Sequence, residues 1–329
     1  MKTIQVLNIP NFYSSYYLLG LNRAYGVKFK MDRNFTKFNN KPILIFKIND
    51  SIVVIDNDDP IVVHQELYEL ASIYFVTNKL IDHNSYNQNK VKPLYPHYPI
   101  NIAPLYCRIF GLSLFRHLKL KDVLQQIYIL LRRPLYKQYD RSIKKDNFVF
   151  FSSNIWKKEP ETNQIRAAFI RFCKADSRIV FKGGFISRSD GNNYGFDNEL
   201  NDEKYSPTVF SKLSASSKIA LNNPAVCGAV SWRLAEYLNQ GLFVLSFPFK
   251  IELPQNFKQD NEVHFIEHAN EYKAVFDKII DNSAYHEAVA ANGKFYFDTY
   301  CTPQAQAKYM VESVFYNQPN LRADQKNNN

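Results

Sequence analysis

Apolar residues along this 329-residue chain fall in short runs of strand length, separated by stretches with helical spacing. Residues 4–9 read as a first strand and the tyrosine-rich segment 13–25 as a helix. Strands follow at 43–48 and 52–55, joined by the polar pair Asn49-Asp50, then a helix at 64–72 and a strand at 73–77. Pro93, Pro96, Pro99 and Pro104 punctuate an extended loop. The alternation restarts with a strand at 148–153, a helix at 164–175 and a strand at 178–181 that ends at Gly183-Gly184. A polar loop at 187–204, a helix at 207–213 and a strand at 218–222 come next. A strand at 263–266, a helix at 271–280 and a largely helical stretch at 284–315, with Pro303 placed to kink it, close the chain. Short apolar runs alternating with helical patterns predict parallel sheets covered on both faces.

The polar, charged stretch 132–147 separates two such patterns, and the length suits two domains with a core each. The predicted fold class is α/β: two Rossmann-like domains with an interdomain cleft. Residues 1–140 would form the N-terminal domain and 141–302 the C-terminal one. Residues 303–329 would carry a terminal helix and a polar tail, disordered from 316.

The densest local signal is Ser231-Trp-Arg-Leu-Ala-Glu-Tyr-Leu-Asn-Gln-Gly-Leu-Phe-Val-Leu-Ser246. Ser231 is a favoured N-cap type, Gly241 stands where helices end in a left-handed residue, and 242–246 is an apolar run of strand length. Arg233 and Glu236, three apart, project from one helix face, with Leu234 and Leu238 toward the core. A guanidinium, a carboxylate and backbone N–H groups at a helix start suit a phosphate-bearing, hydroxyl-rich ligand. The same two side chains also suit an ordinary surface ion pair.

Together with Ser211-Lys-Leu and Lys218-Ile-Ala-Leu-Asn-Asn-Pro224, this run resembles the donor-binding half of GT-B glycosyltransferases. It is most similar to the exostosin-like and related R-x-x-E-x-L-x-x-G branches. The resemblance implies Glu236 as the ligand of the nucleotide ribose and Arg233 as the pyrophosphate-side group, with Ser231 and Asn222 in the same nucleotide-sugar site. Many retaining members carry a second glutamate eight positions earlier, where this chain has Gly228, and a proline where it has Phe243. Inversion and retention both stay open. The implied activity moves a sugar from a nucleotide-sugar donor to a glycan or lipid-linked acceptor in bacterial surface-polysaccharide assembly, at the cytoplasmic membrane face. The nucleotide-sugar is a substrate there, and no cofactor or metal is implied; the resemblance also implies that the terminal helix within 303–329 crosses back to the first domain.

Three further positions would face the donor. Asn154 follows the first strand of the second half, and Lys182 with Gly183 ends the next; a cation there would stabilise a leaving diphosphate. Arg166 and Lys157 are further cations nearby in sequence. Asp56-Asn57-Asp58 after an apolar strand is a D-x-D, able to reach one hard cation, or else turn and capping chemistry. As an acceptor-side group, a carboxylate or imidazole at a strand end could deprotonate a hydroxyl; Asp56, Asp58, Asp59 and His97 are the candidates.

The net charge is +10, and residues 1–150 hold all of it, with 21 Lys and Arg against 11 Asp and Glu. Most lies at 108–145, where ten basic residues face only Asp122 and Asp140 and large apolar residues are interleaved. This composition suits a peripheral membrane contact with anionic lipid, or a core helix with a solvated basic face. Nucleic-acid binding ranks below both, because no RNP, helix-turn-helix, KH or zinc-finger pattern is present. A non-catalytic nucleotide- or glycan-binding protein of the same fold is the other alternative. Four well-separated cysteines without a Cys-x-x-Cys pair, and no signal peptide, point to the cytoplasm.

Overall fold

The computed structural model describes residues 4–58, 62–140, 147–225 and 228–316. Asp59, Cys227, residues 141–146 and the expected tail beyond Tyr316 lie outside the described residues. The chain divides into two compact units. One comprises Met1–Tyr136, Ile251–Gln255 and Thr299–Asn329; the other comprises Lys137–Lys250 and Asn256–Asp298. Each is a Rossmann-like α/β unit.

In the first unit β1 (Ile4–Val6), α1 (Ser15–Tyr25), β2 (Val27–Phe29), β3 (Ile43–Ile48), β4 (Ser51–Asp56), α2 (Gln65–Leu70), β5 (Ile73–Val76) and β6 (Val91–Pro93) follow in order. The six strands lie side by side as β2-β1-β3-β4-β5-β6. The expectation of an all-parallel sheet is corrected here: β3 runs antiparallel to both β1 and β4. The physical cause is the two-residue connection, too short for a crossover, with Asn49 in the left-handed conformation at φ 53°. The edge strands β2 and β6 are three residues long and were not legible as strands; Pro93 is tolerated because β6 is an edge. Val54, Tyr74, Ile43 and Ile45 fill one face of the sheet.

Past the proline-rich stretch, α3 (Ala103–Phe110) takes Pro104 into its first turn, and α4 (Ser113–His117) and α5 (Leu120–Leu131) follow. The terminal helix Pro303–Tyr316 packs on α1. Their contact is close enough that a Cβ on Gly20 would sit 1.9 Å from the Pro303 carbonyl oxygen. Before that helix the chain passes through a π-helical turn, Phe297–Cys301. Among the described residues no helix is long and apolar enough to cross a membrane.

The second unit runs β7 (Phe148–Asn154), α6 (Pro160–Ala175), β8 (Val180–Ile186), α7 (Pro207–Ala215), β9 (Ile219–Asn222), α8 (Trp232–Asn239), β10 (Phe243–Ser246), β11 (His264–Phe265), α9 (Tyr272–Asp281) and α10 (Ser283–Tyr296). β8 pairs with β7, and β9, β10 and β11 form a second ladder, every pairing parallel. The ladders meet where Lys218 N–H donates to Phe148 O (2.7 Å) and Phe150 N–H to Ser217 Oγ (3.0 Å). The spatial order is therefore β8-β7-β9-β10-β11. From β7 the chain winds first to one side and then back past it, making a topological switch point between β7 and β9. Ligands of doubly wound sheets bind outside the carboxyl ends of the strands at such a point. Phe151, Phe169, Phe185, Phe243 and Tyr272 form the core, with Phe169 edge-on to Phe151 at 5.4 Å and to Tyr272 at 5.2 Å.

The strand expected to end at Gly183-Gly184 continues to Ile186. Both glycines lie mid-strand with positive φ (116° and 141°). A Cβ on Gly183 would stand 2.1 Å from the Phe151 carbonyl oxygen, and one on Gly184 2.6 Å from that of Glu199. Close approach of the chain's own backbone explains the pair.

Candidate functional site

α8 is built by local chemistry. The Ser231 side chain accepts the Arg233 N–H at 3.3 Å as its N-cap. At the other end Gly241 takes φ 64°, Gly241 N–H bonds Leu238 O (3.0 Å) and Leu242 N–H bonds Tyr237 O (3.1 Å), a Schellman motif. Leu234 and Leu238 are fully buried against the core. This fixes the helix in rotation, so Arg233 and Glu236 stand half-buried on the side away from the core.

They are not a surface ion pair. Among the described residues no carboxylate lies within 4.0 Å of the Arg233 guanidinium, which bonds Tyr237 and stacks over the Phe210 ring at 4.9 Å. Glu236 is raised above the usual carboxylate range by loss of solvent, an effect opposed by the Ser211 hydroxyl bond and the nearby Arg233 charge. Ser211 is itself held from α7 by Gln240 Nε2 (3.1 Å) and Tyr139 (3.0 Å).

A second guanidinium converges on the same edge. Arg166 is 3% exposed, on the face of α6 that also buries Ala167, Phe169 and Ile170. Its Nε donates to Asn223 Oδ1 and its Nη1 to Asn154 O, both at 3.1 Å, and it lies over the Trp156 ring at 3.8 Å. Those partners are the carboxyl ends of β7 and β9, so Arg166 sits at the switch point. Burial, and then the charge of Arg233, lower its pKa to about 9. Among the described residues it too has no ion-pair partner. Two cations with neutral partners, Arg166 buried and Arg233 half-buried, next to a carboxylate one turn along α8, form a site that would gain most from an anion with hydroxyls beside it.

The other predicted positions divide clearly. Asn154 is the exposed last residue of β7. Asn222 ends β9, donates to Ser246 Oγ at 2.9 Å, and keeps its buried Oδ1 without a partner. It lines a small pocket with Asn223, Pro224, Phe247, Pro248 and Lys250. Asn154, Asn222, Ser231, Arg233 and Glu236 are thus gathered near the carboxyl edge of one sheet, Lys182 and Gly183 are not. Lys182 stands opposite Phe150, four residues short of the end of β8, and pairs with Glu203 at 3.0 Å. Arg166, Trp156, Asn223 and Ser211 complete the cluster. A charged residue on the buried stripe of α6 was the sequence signal for Arg166.

In the first unit the acceptor-side candidates lie at or past the strand ends, Asp56 as the last residue of β4. Asp56 is buried and fully engaged: Oδ2 accepts Tyr74 Oη–H (2.6 Å) and Oδ1 accepts Asp58 N–H (3.0 Å). Burial nonetheless raises its pKa. Asp58 is exposed. His97 is buried with Nε2 unpartnered, and burial lowers its pKa to about 3, which makes the neutral ring a weak base.

No family model matches the chain, and no curated protein matches it. Some solved structures are similar. HepE from Anabaena in complex with UDP is 8% identical with a TM-score of 0.47, covering 96% of this chain and 100% of that one. A glycosyltransferase from Rickettsia africae is 10% identical with a TM-score of 0.47, covering 94% and 82%. The GtfA/B complex is 14% identical with a TM-score of 0.45, covering 83% of this chain and 63% of that one, so the chain spans less than two thirds of that relative.

Proposed function

We propose that the chain is a glycosyltransferase of the GT-B type that takes a sugar from a nucleotide-sugar donor to a hydroxyl of a glycan or lipid-linked acceptor, in surface-polysaccharide assembly at the cytoplasmic membrane face. The observation that carries the reading is the pair Arg166 and Arg233, both without an acidic partner among the described residues, at the switch point beside Glu236. In the reaction the bond from the sugar's anomeric carbon to the diphosphate oxygen breaks and a bond to the acceptor oxygen forms. Negative charge grows on the departing nucleotide, and two preorganised guanidinia offset it. The acceptor proton must leave to a base. Asp58, exposed two residues past the end of β4, suits that role better than Asp56 or His97, which are both buried.

Glu236, with its raised pKa, would accept hydrogen bonds from the ribose hydroxyls when ionised. The test is a panel of nucleotide-sugars read by thermal shift, followed by turnover of whichever donor stabilises the protein. One donor should raise the melting temperature, and Glu236→Ala should weaken it by about 1.5–3 kcal/mol, about 10- to 150-fold. Affinity should also fall as pH drops through the raised carboxylate pKa, because protonation removes the acceptor. Donor binding lost in Glu236→Ala but with no transfer or hydrolysis would make the chain a binding protein. A panel with no hit would overturn the reading.

A further inference from the structure

The three helices that follow the first sheet leave a large apolar face uncovered. Leu112, Phe115, Leu120, Leu124, Tyr128 and Leu131 are between 57% and 72% exposed. On α5, Leu120, Leu124, Ile127, Tyr128 and Leu131 follow helical spacing and form one stripe, adjoining the stripe Val123, Gln126 and Leu130 that packs inward. Between α3, α4 and α5 lies an open groove of about 500 Å³, apolar almost throughout, lined by Cys107, Leu114, Phe115, Leu124 and Leu131 among others. A continuous patch of this kind marks an interaction surface.

The rim identifies what covers it. Arg108, Arg116, Lys119, Lys121 and Arg132 each stand next in sequence to an apolar residue of the patch or groove, all are exposed, and none has an ion-pair partner among the described residues. Asp122 is the one carboxylate within α3 to α5, and helical geometry turns it to the far side of α5 from the apolar stripe. A second copy of the chain docking through this face would set the basic rim against itself. An anionic bilayer offers both complements, a negative surface for the rim and hydrocarbon for the stripe.

We propose that α3, α4 and α5 form a docking surface for an anionic lipid bilayer, with an acyl chain seated in the groove. The inference rests on this face alone and not on the transferase reading. Flotation with vesicles separates the possibilities. The full chain should float with vesicles of phosphatidylcholine and phosphatidylglycerol in equal parts, and not with phosphatidylcholine alone. Lys119→Gln with Lys121→Gln should weaken binding by about 25-fold, at about fivefold per basic residue, and added salt should do the same. Leu124→Glu with Leu131→Glu should abolish flotation while leaving the melting temperature nearly unchanged, because both side chains are more than half exposed. Equal binding to neutral vesicles, or unchanged binding in the Leu124→Glu, Leu131→Glu variant, would overturn the proposal. So would absence of vesicle binding together with a concentration-dependent dimer that the same substitutions dissolve.

Discussion

Replacing Arg166 by methionine should separate the energetics of folding from those of anion binding. Taking the guanidinium from its ordinary pKa of 12.5 to about 9 corresponds to about 5 kcal/mol against the charged form. The folded-state pKa lies below the unfolded one, so this group subtracts stability at neutral pH and returns it only as pH climbs from about 9 to 12.5. Against that stand two hydrogen bonds at 3.1 Å and the stack over Trp156 at 3.8 Å, together about 4 kcal/mol. Methionine keeps the apolar stem and removes both terms, so the unliganded melting temperature should change little, or rise. Binding responds in the opposite sense. Losing one charge-assisted partner of a diphosphate should cost about 2–3 kcal/mol, a 30- to 150-fold rise in Kd of about that size for pyrophosphate or a nucleoside diphosphate. Thermal melts with and without pyrophosphate, and calorimetric titration, read both quantities on one protein. A variant that loses several kcal/mol of stability yet keeps its pyrophosphate-induced shift would refute the reasoning and make Arg166 a structural brace between β7 and β9.

Two other outcomes follow from buried groups in the first unit. Gly20→Ala sets a helix-propensity gain of about 0.5–1 kcal/mol against a Cβ placed 1.9 Å from backbone at Pro303, which cannot swing aside. Overpacking of this kind costs about 1–3 kcal/mol, so denaturant titration should show net destabilisation, and a higher midpoint would show that α1 and the terminal helix separate freely. His97, neutral in the fold with a pKa of about 3 against 6.5 unfolded, contributes stability at neutral pH that is lost as pH falls from 6.5 toward 3. Urea titrations across that window should show a slope that His97→Gln flattens; an unchanged slope would place the acid sensitivity elsewhere.

How much was legible without coordinates depended on the range of the interactions involved. α8 and its flanks were readable because each determinant acts within a few residues: Ser231 caps the N–H two positions on, and Gly241 closes the helix before it. The apolar runs at 43–48 and 148–153 predicted strands because burial on a sheet face imposes its own pattern. The all-parallel expectation failed at Asn49-Asp50, where a two-residue link admits only a hairpin. The charge asymmetry of the first half was plain from composition, whereas the spatial union of exposed leucines with basic side chains on α3, α4 and α5 required the helices to be folded against one another.

The sequence by itself determined the two α/β patterns, the capped helix with Arg233 and Glu236 on one face, and the basic, apolar-rich segment. Those follow from backbone chemistry and periodicity, which are local. Only the tertiary structure showed which cation stands near them. Lys182 and Gly183 read as a phosphate turn, yet the glycine is demanded by the Phe151 carbonyl of the adjacent strand and the lysine is answered by Glu203. Arg166 joins the site through Asn223, 57 positions away, because parallel β7 and β9 bring their carboxyl ends together at the switch point. No local rule can encode that meeting, since it is made by the order in which the strands are laid down.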